Sequence, residues 1–247
     1  MFYREAIMRR RSRRSFTSQL PDISHVQMIR EIIDDINEEN HLSIQMIIDE
    51  PAGFSSLTDS YGMFKGVRNY IALVGPKDDK DLHEKLGYFG EQILLTLEIL
   101  GYGTCWVGGT FDRKKCKCEV GENEVFQCAI VFGNVKRNPS LKEKAVDKAL
   151  HSVVKKPKLQ DLFYSEETPP NWFIEGMRMV ERAPSALNKM PVKFFYKGDS
   201  VMAKVKNPKT INYYDLGIAK FHFQAGVEEG KWDFGNGGLF LREEDEH

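Results

Sequence analysis

The feature that most constrains the fold is a pattern of glycines that occurs twice at one offset. Three glycines have counterparts 127 residues further on, in the pairs Gly90 and Gly217, Gly103 and Gly230, and Gly108 and Gly235. In both halves an apolar helix leads into a glycine turn and then into a segment with a tryptophan, Trp106 or Trp232. Because self-similarity at a fixed offset is typical of a repeated structural unit, we interpret the chain as two diverged copies of one unit.

The spacing of apolar residues predicts the elements of each copy. The predicted helices are Met1–Met8, a helix capped by Asp22 or Ser24 that carries Val26 to Ile36, Asp81–Leu100, Asn171–Arg182 and Asp215–Glu229. The last helix should be buried on several sides, because Phe221 and Phe223 cannot share one helical face. The predicted strands are Leu42–Ile48, Tyr70–Gly75, Phe126–Gly133 and Val192–Tyr196. Since helices and strands alternate without a βαβ period, the fold class is α+β.

The predicted organisation has two halves and a connector. Residues 1–138 form the first half and residues 159–247 the second, and we expect the halves to interleave as one compact unit. Residues 139–158 are rich in lysine and are bounded by Pro139 and Pro157, which is typical of a solvated connector. A helix is predicted within it, near Leu141–Val153.

Composition excludes several classes of function. The 247 residues carry a net charge of −1, so no global basic field recruits nucleic acid. No stretch approaches the ~18 apolar residues of a membrane span. The four cysteines show no second pair at zinc-ligand spacing, so we predict free thiols, no metal site and a cytoplasmic protein. We interpret Trp106, Trp232, His222 and Cys105 as core residues rather than ligands.

Arginines are concentrated near the start of the chain. Five of the six residues from Arg9 to Arg14 are arginines, interrupted by Ser12. Guanidinium groups match phosphate oxygens in bidentate geometry, and the serine hydroxyl adds a neutral donor. The segment therefore predicts a phosphate site, and the alternatives are a solvated basic tail or an arm that binds nucleic acid.

A second candidate segment joins a predicted helix to a predicted strand. Residues Arg182–Pro191 read RAPSALNKMP, and Pro184, Ser185 and Asn188 lie at its centre. Small polar side chains and backbone amides in such a turn can hydrogen-bond the edge of a planar heterocycle. The alternative is a plain connection that uses Pro, Ser and Asn as turn residues.

These motifs together resemble the nitroreductase (FMN-dependent oxidoreductase) family. Its R-R-S-x-R-x-F pattern is matched by Arg10–Phe16, and its A-P-S-A-x-N-x-Q-P pattern by Ala183–Pro191, with Met190 in place of Gln. Its G-x-G-T-x-W-x-G pattern is matched by Gly101–Gly108. Ser12 and Ser185 are 173 residues apart, and this separation is similar to the Thermotoga-type branch, in which two copies are fused in one chain.

The resemblance implies a nitroreductase-like α+β fold in which two copies form a pseudo-dimer around a mixed antiparallel sheet. It implies one FMN per chain, with Arg10, Arg11, Ser12 and Arg14 at the phosphate and polar edge. The isoalloxazine ring would be contacted by the remaining candidate residues, which are Arg68, Gly108, Gly109, Pro184, Ser185 and Asn188. No side chain is required as a catalytic acid or base.

A second, mirror-image flavin site is not expected. It would pair Lys155–Pro157 with Asp35–Asn40, where Glu38 and Glu39 would face an electron-rich flavin and its phosphate. Like charges at contact distance oppose binding. One flavin per chain is therefore the prediction.

The implied activity is that of an FMN-dependent NAD(P)H oxidoreductase. Hydride passes from a nicotinamide through the flavin to a small-molecule acceptor, which is a nitroaromatic, a quinone or a flavin, while the protein supplies position and electrostatics. The alternative is a flavin-free pseudoenzyme or small-molecule-binding protein that keeps the fold. The pseudo-dimer would be a monomer or a weak homodimer, with no nucleic-acid or membrane partner.

Overall fold

The computed structural model describes residues 3–55, 63–140, 143–146, 148, 156–198, 200–207 and 209–242. The chain divides into two compact units. The N-terminal unit consists of Arg9–Leu82 and Ile93–Ala149, and the C-terminal unit consists of Met1–Met8, His83–Gln92 and Leu150–His247. The predicted halves, 1–138 and 159–247, stay a prediction; the units differ from them because two earlier segments belong with the later residues.

The predicted helices are present in the structure. They are α1 (Tyr3–Arg9), α2 (Ile23–Asn40), α3 (Leu82–Ile99), α4 (Asn171–Val180) and α5 (Thr210–Val227). Helix α5 begins five residues before the predicted Asp215, because its first turn holds β-branched and aromatic residues that carry no helical signal of their own. Of the helix predicted over Leu141–Val153, residues 143–146 and 148 are helical and the others lie outside the described residues.

Helix α2 begins at the predicted cap. The side chain of Asp22 accepts a hydrogen bond of 2.8 Å from the backbone N–H of Ser24 and so satisfies a donor of the first turn. The helix buries Ile29, Ile33 and Ile36, which lie three and four residues apart. This spacing confirms that one face of the helix packs against the protein.

The N-terminal unit contains a four-stranded sheet that is antiparallel throughout. Its strands are β1 (Gln45–Ile47), β2 (Asn69–Pro76), β3 (Gly103–Val107) and β4 (Glu124–Gly133), in the order β1-β2-β4-β3. All residues of β2 up to Gly75 are buried, and β4 is buried from Cys128 to its end. Both central strands therefore read as continuous apolar runs, since both of their faces are covered.

The C-terminal unit contains a five-stranded mixed sheet. Its strands are β5 (Phe163–Ser165), β6 (Val192–Lys197), β7 (Ser200–Val205), β8 (Lys231–Trp232) and β9 (Leu239–Leu241), in the order β5-β6-β7-β9-β8. The β5–β6 pair is parallel and the other pairs are antiparallel. Of these strands only β6 was predicted from the sequence. Strands β5, β8 and β9 have two or three residues and show no alternation of their own, whereas the six-residue β7 was missed although its burial alternates.

Helix α5 fills the centre of the C-terminal unit. It is buried continuously from Asp215 to Phe223, which confirms burial on several sides. Phe223 contacts the rings of Phe173, Phe194 and Trp232 at centroid distances of 5.3 to 5.6 Å. Aromatic pairs at these distances add to the stability that burial of their area provides.

The prediction that Trp106, Trp232, His222 and Cys105 are core residues is confirmed for three of the four. Cys105, His222 and Trp232 are buried, and Trp106 is half-buried. The His222 ring is satisfied by the backbone oxygen of Met179 and the carboxylate of Glu91, both at 2.9 Å. The four cysteines are free thiols. Within the described residues, no helix has the length and apolar character needed to cross a membrane.

Candidate functional site

The arginine segment lies along the edge of the N-terminal sheet. Ser12 forms a parallel bridge with Thr104 on β3, and the N–H of Arg13 donates to the oxygen of Thr104 over 2.8 Å. The segment is thus held in place and is not a free basic tail. Strand β3 ends at Val107 and is followed at once by Gly108, which lies four residues, or roughly 13 Å of extended chain, beyond Thr104. The structure therefore brings the arginine segment and the Gly101–Gly108 motif into one unit.

The arginines of this segment differ in their surroundings. Arg9 donates to the oxygen of Glu98 at 2.8 Å, near the C-terminal end of α3, where the helix dipole favours a cation. Arg10 is half-buried, and its Nη1 has no hydrogen-bond partner among the described residues. Arg11 is exposed, and Arg14 is 6% exposed with its Nη1 3.5 Å from the oxygen of Ser12.

A residue that sequence reasoning missed, Glu143, organises the loop that follows Ser12. Its Oε1 accepts from the N–H groups of Arg14 at 2.8 Å and Ser15 at 3.1 Å, and it lies 3.3 Å from Nε of Arg13. Its Oε2 accepts from the N–H of Ser140 at 2.7 Å. Burial alone would raise the pKa of Glu143, but the hydrogen bonds from Arg14 and Ser140 outweigh it and lower the pKa to about 2.

Glu143 thereby divides the arginine segment into two parts. It engages the guanidinium of Arg13 and the backbone of Arg14 and Ser15 from within the chain. The side chains of Arg10 and Arg11 are not among the groups that hydrogen-bond to Glu143. Nothing in the local sequence signals the role of Glu143, since it is one glutamate in a lysine-rich connector 130 residues from Arg13.

The glycine pair after β3 presents an open backbone. Gly108 and Gly109 are exposed, neither has a positive φ, and a Cβ added to either would meet nothing within 4 Å. The chain itself therefore does not require glycine here, and the space over this backbone is free for another group. Arg113, which sequence reasoning also missed, steadies the turn by donating to the oxygens of Gly108 at 2.8 Å and Gln127 at 2.6 Å.

Arg68 has a partner within its own unit. Its Nε donates to Oδ1 of Asp49 over 2.5 Å, and its Nη2 contacts the same oxygen. The side chains of Arg68 and Asp49 are 39% and 43% exposed. A ligand contact from Arg68 would have to share the guanidinium with Asp49, and the predicted role of Arg68 stays a prediction.

The second candidate segment forms a strained turn in the C-terminal unit. Leu187, Asn188 and Met190 adopt φ values of 54°, 57° and 44°, in the left-handed region that residues with a side chain rarely enter. Each such residue costs on the order of 1–3 kcal/mol and is typical of functional sites. The Ser185 hydroxyl holds the turn together by accepting from the N–H of Met190 at 2.9 Å.

Asp215 of α5 supports the same turn from the protein interior. Its Oδ1 accepts from the N–H of Ala186 at 2.9 Å, and the residue is 4% exposed. Burial raises the pKa of Asp215 to about 7, and the hydrogen bond from Ala186 offsets only part of this effect. Sequence reasoning gave this residue no role, because a single Asp inside an apolar helix carries no recognisable signal.

The candidate residues are distributed over both units. Those in the N-terminal unit are Arg10, Arg11, Ser12, Arg14, Arg68, Gly108 and Gly109. Those in the C-terminal unit are Pro184, Ser185 and Asn188. The expectation that the arginine segment and the 183–191 turn contact the same FMN stays a prediction.

The element order and the two sheets define a nitroreductase-like α+β protein. The chain belongs to the nitroreductase family described as "Putative TM nitroreductase", whose family model matches residues 3–227. The match covers all three sequence motifs, so the family resemblance inferred from those motifs is confirmed.

Several solved structures described as nitroreductases are similar to this chain. A "putative nitroreductase" from Thermotoga maritima msb8 is 23% identical, with a TM-score of 0.59, and the alignment covers 97% of this chain and 92% of that chain. Nitroreductase A from Vibrio parahaemolyticus is 15% identical, with a TM-score of 0.48 and coverage of 69% and 78%. An FMN-dependent nitroreductase from Clostridium difficile is 15% identical, with a TM-score of 0.43 and coverage of 62% and 98%. No curated protein matches this sequence significantly.

Proposed function

We propose that this protein is an FMN-dependent NAD(P)H oxidoreductase that binds one FMN per chain. The observation that carries the proposal is the pairing of Ser12 with Thr104, which holds the arginine segment beside the strand leading to the open glycine pair. In this proposal the acceptor is a nitroaromatic, a quinone or a flavin, and the compartment is the cytoplasm. Membership of the nitroreductase family supports this reaction class.

The arginine segment has the properties of a phosphate site. Nη1 of Arg10 is buried and lacks a hydrogen-bond partner among the described residues, and a buried donor without a partner costs about 1–3 kcal/mol. A phosphate oxygen would satisfy this donor with a charge-assisted hydrogen bond. Arg11, Ser12 and Arg14 lie within four residues of Arg10 and would supply further donors to the same anion.

The glycine pair and the strained turn have the properties of a site for a planar ring. The open backbone at Gly108 and Gly109, where an added Cβ meets nothing within 4 Å, would allow a flat group to approach closely. The Ser185 hydroxyl accepts from Met190, so its own hydrogen is left to donate to an acceptor at the edge of a ring. Asn188 would add an amide at the same edge, and Pro184 would pack on the ring.

FMN would supply two-electron hydride transfer between a nicotinamide and the acceptor. The chain's own residues would act by position and charge. The guanidinium groups would hold the phosphate and favour negative charge on the bound ligand. Arg113, which donates to the oxygen of Gly108, would keep the glycine turn in a conformation that admits the ring. No side chain of this chain is needed to transfer a proton.

The proposal is tested by identifying the cofactor released from the purified protein by mass spectrometry. We expect FMN at one per chain, and anaerobic addition of NADH and NADPH in parallel should bleach its absorption with at least one of them. The Arg10→Ala variant should weaken FMN binding by roughly tenfold or more, since a charge-assisted hydrogen bond contributes about 1.5–3 kcal/mol. The exposed Arg30 of α2 provides the matched control, Arg30→Ala.

Two results would contradict the proposal in different ways. Protein that is colourless and fails to bind added FMN would favour the flavin-free pseudoenzyme. Two FMN molecules per chain would contradict the single site and would mean that the mirror-image site tolerates Glu38 and Glu39, which are exposed near the C-terminal end of α2.

A further inference from the structure

A buried carboxyl group lies directly beneath the strained turn. Asp215 is 4% exposed, and its Oδ1 accepts a hydrogen bond of 2.9 Å from the N–H of Ala186. Its second oxygen, Oδ2, is buried and has no hydrogen-bond partner among the described residues. One carboxyl oxygen therefore holds the turn, and the desolvation of the other is not offset by a donor among the described residues.

A small cavity adjoins this carboxyl group. It is lined by Asp215 together with apolar side chains and parts of the turn, including Leu162, Val180, Ser185 and Met190. It has room for about one water molecule. Asp215 is the only lining residue that can ionise, so an ionised carboxylate would face this cavity without a cation.

Among the described residues of the surrounding elements, the charged groups are exposed or engaged by other partners. From the turn, Arg182 and Lys189 are exposed to solvent. On α5, Lys220 is engaged by Glu84 and by the backbone oxygens of Asp233 and Gly235. From α3, His83 packs its ring on that of Tyr214, the residue before Asp215. The lining contributed by α4 and β6 is apolar.

The turn that Asp215 supports combines a strained backbone with few side-chain hydrogen bonds. Three of its residues, Leu187, Asn188 and Met190, have left-handed backbone conformations, and the side chain of Leu187 is 60% exposed. The described side-chain hydrogen bonds that hold it come from Ser185 and Asp215. Loss of one of these two would let the strained backbone relax.

We propose that Asp215 is a positioning residue that fixes the Ser185–Met190 turn through Ala186, and that ionisation of its carboxyl group opens the turn and weakens FMN binding. The inference rests on the proposed function, because that function assigns the turn to the flavin ring. It extends the proposed function by making cofactor retention depend on pH through a residue outside the recognised motifs.

The direction of the effect follows from the surroundings of the carboxyl group. A neutral carboxyl is tolerated in an apolar cavity, whereas a carboxylate with one N–H donor and no cation is strongly disfavoured. Opening the turn would admit water to the ionised group. Because burial raises the pKa of Asp215 to about 7, FMN should bind more tightly below that pH than above it.

The test is a titration of FMN followed by flavin fluorescence, from about pH 6 to about pH 8.5. The dissociation constant of the wild-type chain should rise by roughly tenfold over this range, mostly below about pH 7, because the contribution of a group with a raised pKa is lost as the pH rises towards that pKa and changes no further above it. Asp215→Asn keeps an acceptor for Ala186 but cannot ionise, so its profile should be flat. Asp34→Asn, on the exposed face of α2, is the matched control and should follow the wild type. A flat wild-type profile, or a wild-type profile retained by Asp215→Asn, would overturn the inference.

A second measurement reads the turn without flavin. Lys189 is exposed within the turn, so trypsin can cleave after it when the turn opens. The ratio of the cleavage rates of wild type and Asp215→Asn should increase with pH, and the ratio cancels the pH dependence of trypsin itself. A constant ratio overturns the inference even if FMN binds. If the ratio increases but no variant binds FMN at any pH, the proposed function fails while the coupling of Asp215 to the turn stands.

Discussion

At the scale of single residues, two buried carboxyl groups have pKa values shifted in opposite directions, for reasons that lie in their neighbours. Glu143 and Asp215 are 2% and 4% exposed, so both are desolvated. Glu143 accepts from three backbone N–H groups and lies beside Arg13, whereas Asp215 accepts from one N–H group. The number of hydrogen-bond donors therefore decides the direction in which each pKa is shifted.

Replacement of Glu143 should destabilise the N-terminal unit near neutral pH. The folded pKa of Glu143 is lowered from 4.5 to about 2, so its contribution to stability is present above about pH 4.5 and is lost as the pH falls through 2. We expect Glu143→Gln to lower the free energy of unfolding by about 1–3 kcal/mol at pH 7. The loss should shrink towards pH 3, as measured by urea unfolding.

The exposed Glu39 of α2 provides the control for this variant. Glu39→Gln should change the free energy of unfolding by less than about 0.5 kcal/mol. An equal loss in both variants, or a loss for Glu143→Gln that does not depend on pH, would show that the hydrogen-bonded carboxylate is not what stabilises the arginine loop.

At the scale of elements, close approach of the backbone explains one glycine of the predicted repeat. A Cβ on Gly217 of α5 would collide with the backbone oxygen of Glu84 and lie 2.5 Å from the amide nitrogen of Tyr88. Because these are backbone atoms, they cannot move aside independently. The buried ion pair of Lys220 with Glu84 lies on the same helices and adds to the need for a fixed separation.

Gly217→Ala should therefore lower the free energy of unfolding by about 1–3 kcal/mol, the usual cost of overpacking. Gly109→Ala is the matched variant, because its added Cβ meets nothing within 4 Å and its φ is not positive. We expect it to change stability by less than about 0.5 kcal/mol, but to weaken FMN binding if the glycine backbone contacts the ring. Thermal unfolding and FMN titration of both variants separate the two effects, and equal destabilisation would contradict the packing argument.

At the scale of the whole molecule, the proposed function requires the two units to share one ligand. Addition of FMN should then slow hydrogen exchange of backbone amides both in the Arg10–Arg14 segment and in the 183–191 turn. Ligand-linked protection of this kind grows with the ratio of ligand concentration to dissociation constant and reaches about 2.7 kcal/mol at a hundredfold excess. Protection confined to one segment would contradict a shared site while leaving open that FMN binds.

The sequence by itself determined the helices, the central strands and the family. Periodic burial shows as a spacing of apolar residues within about ten to twenty residues, so α2, α3, β2 and β4 could be predicted from the sequence. The motifs around Ser12, Gly108 and Ser185 led to the nitroreductase family, which the family model confirms.

Only the tertiary structure decided the details on which the site depends. The short strands β5, β8 and β9 exist because neighbouring strands pair with them, which their two or three residues cannot signal. The roles of Glu143 and Asp215 come from partners 129 and 29 residues away in the chain. Hydrogen bonding and desolvation act through space, so the charge of a carboxyl group is a property of its folded surroundings and cannot be inferred from its place in the chain.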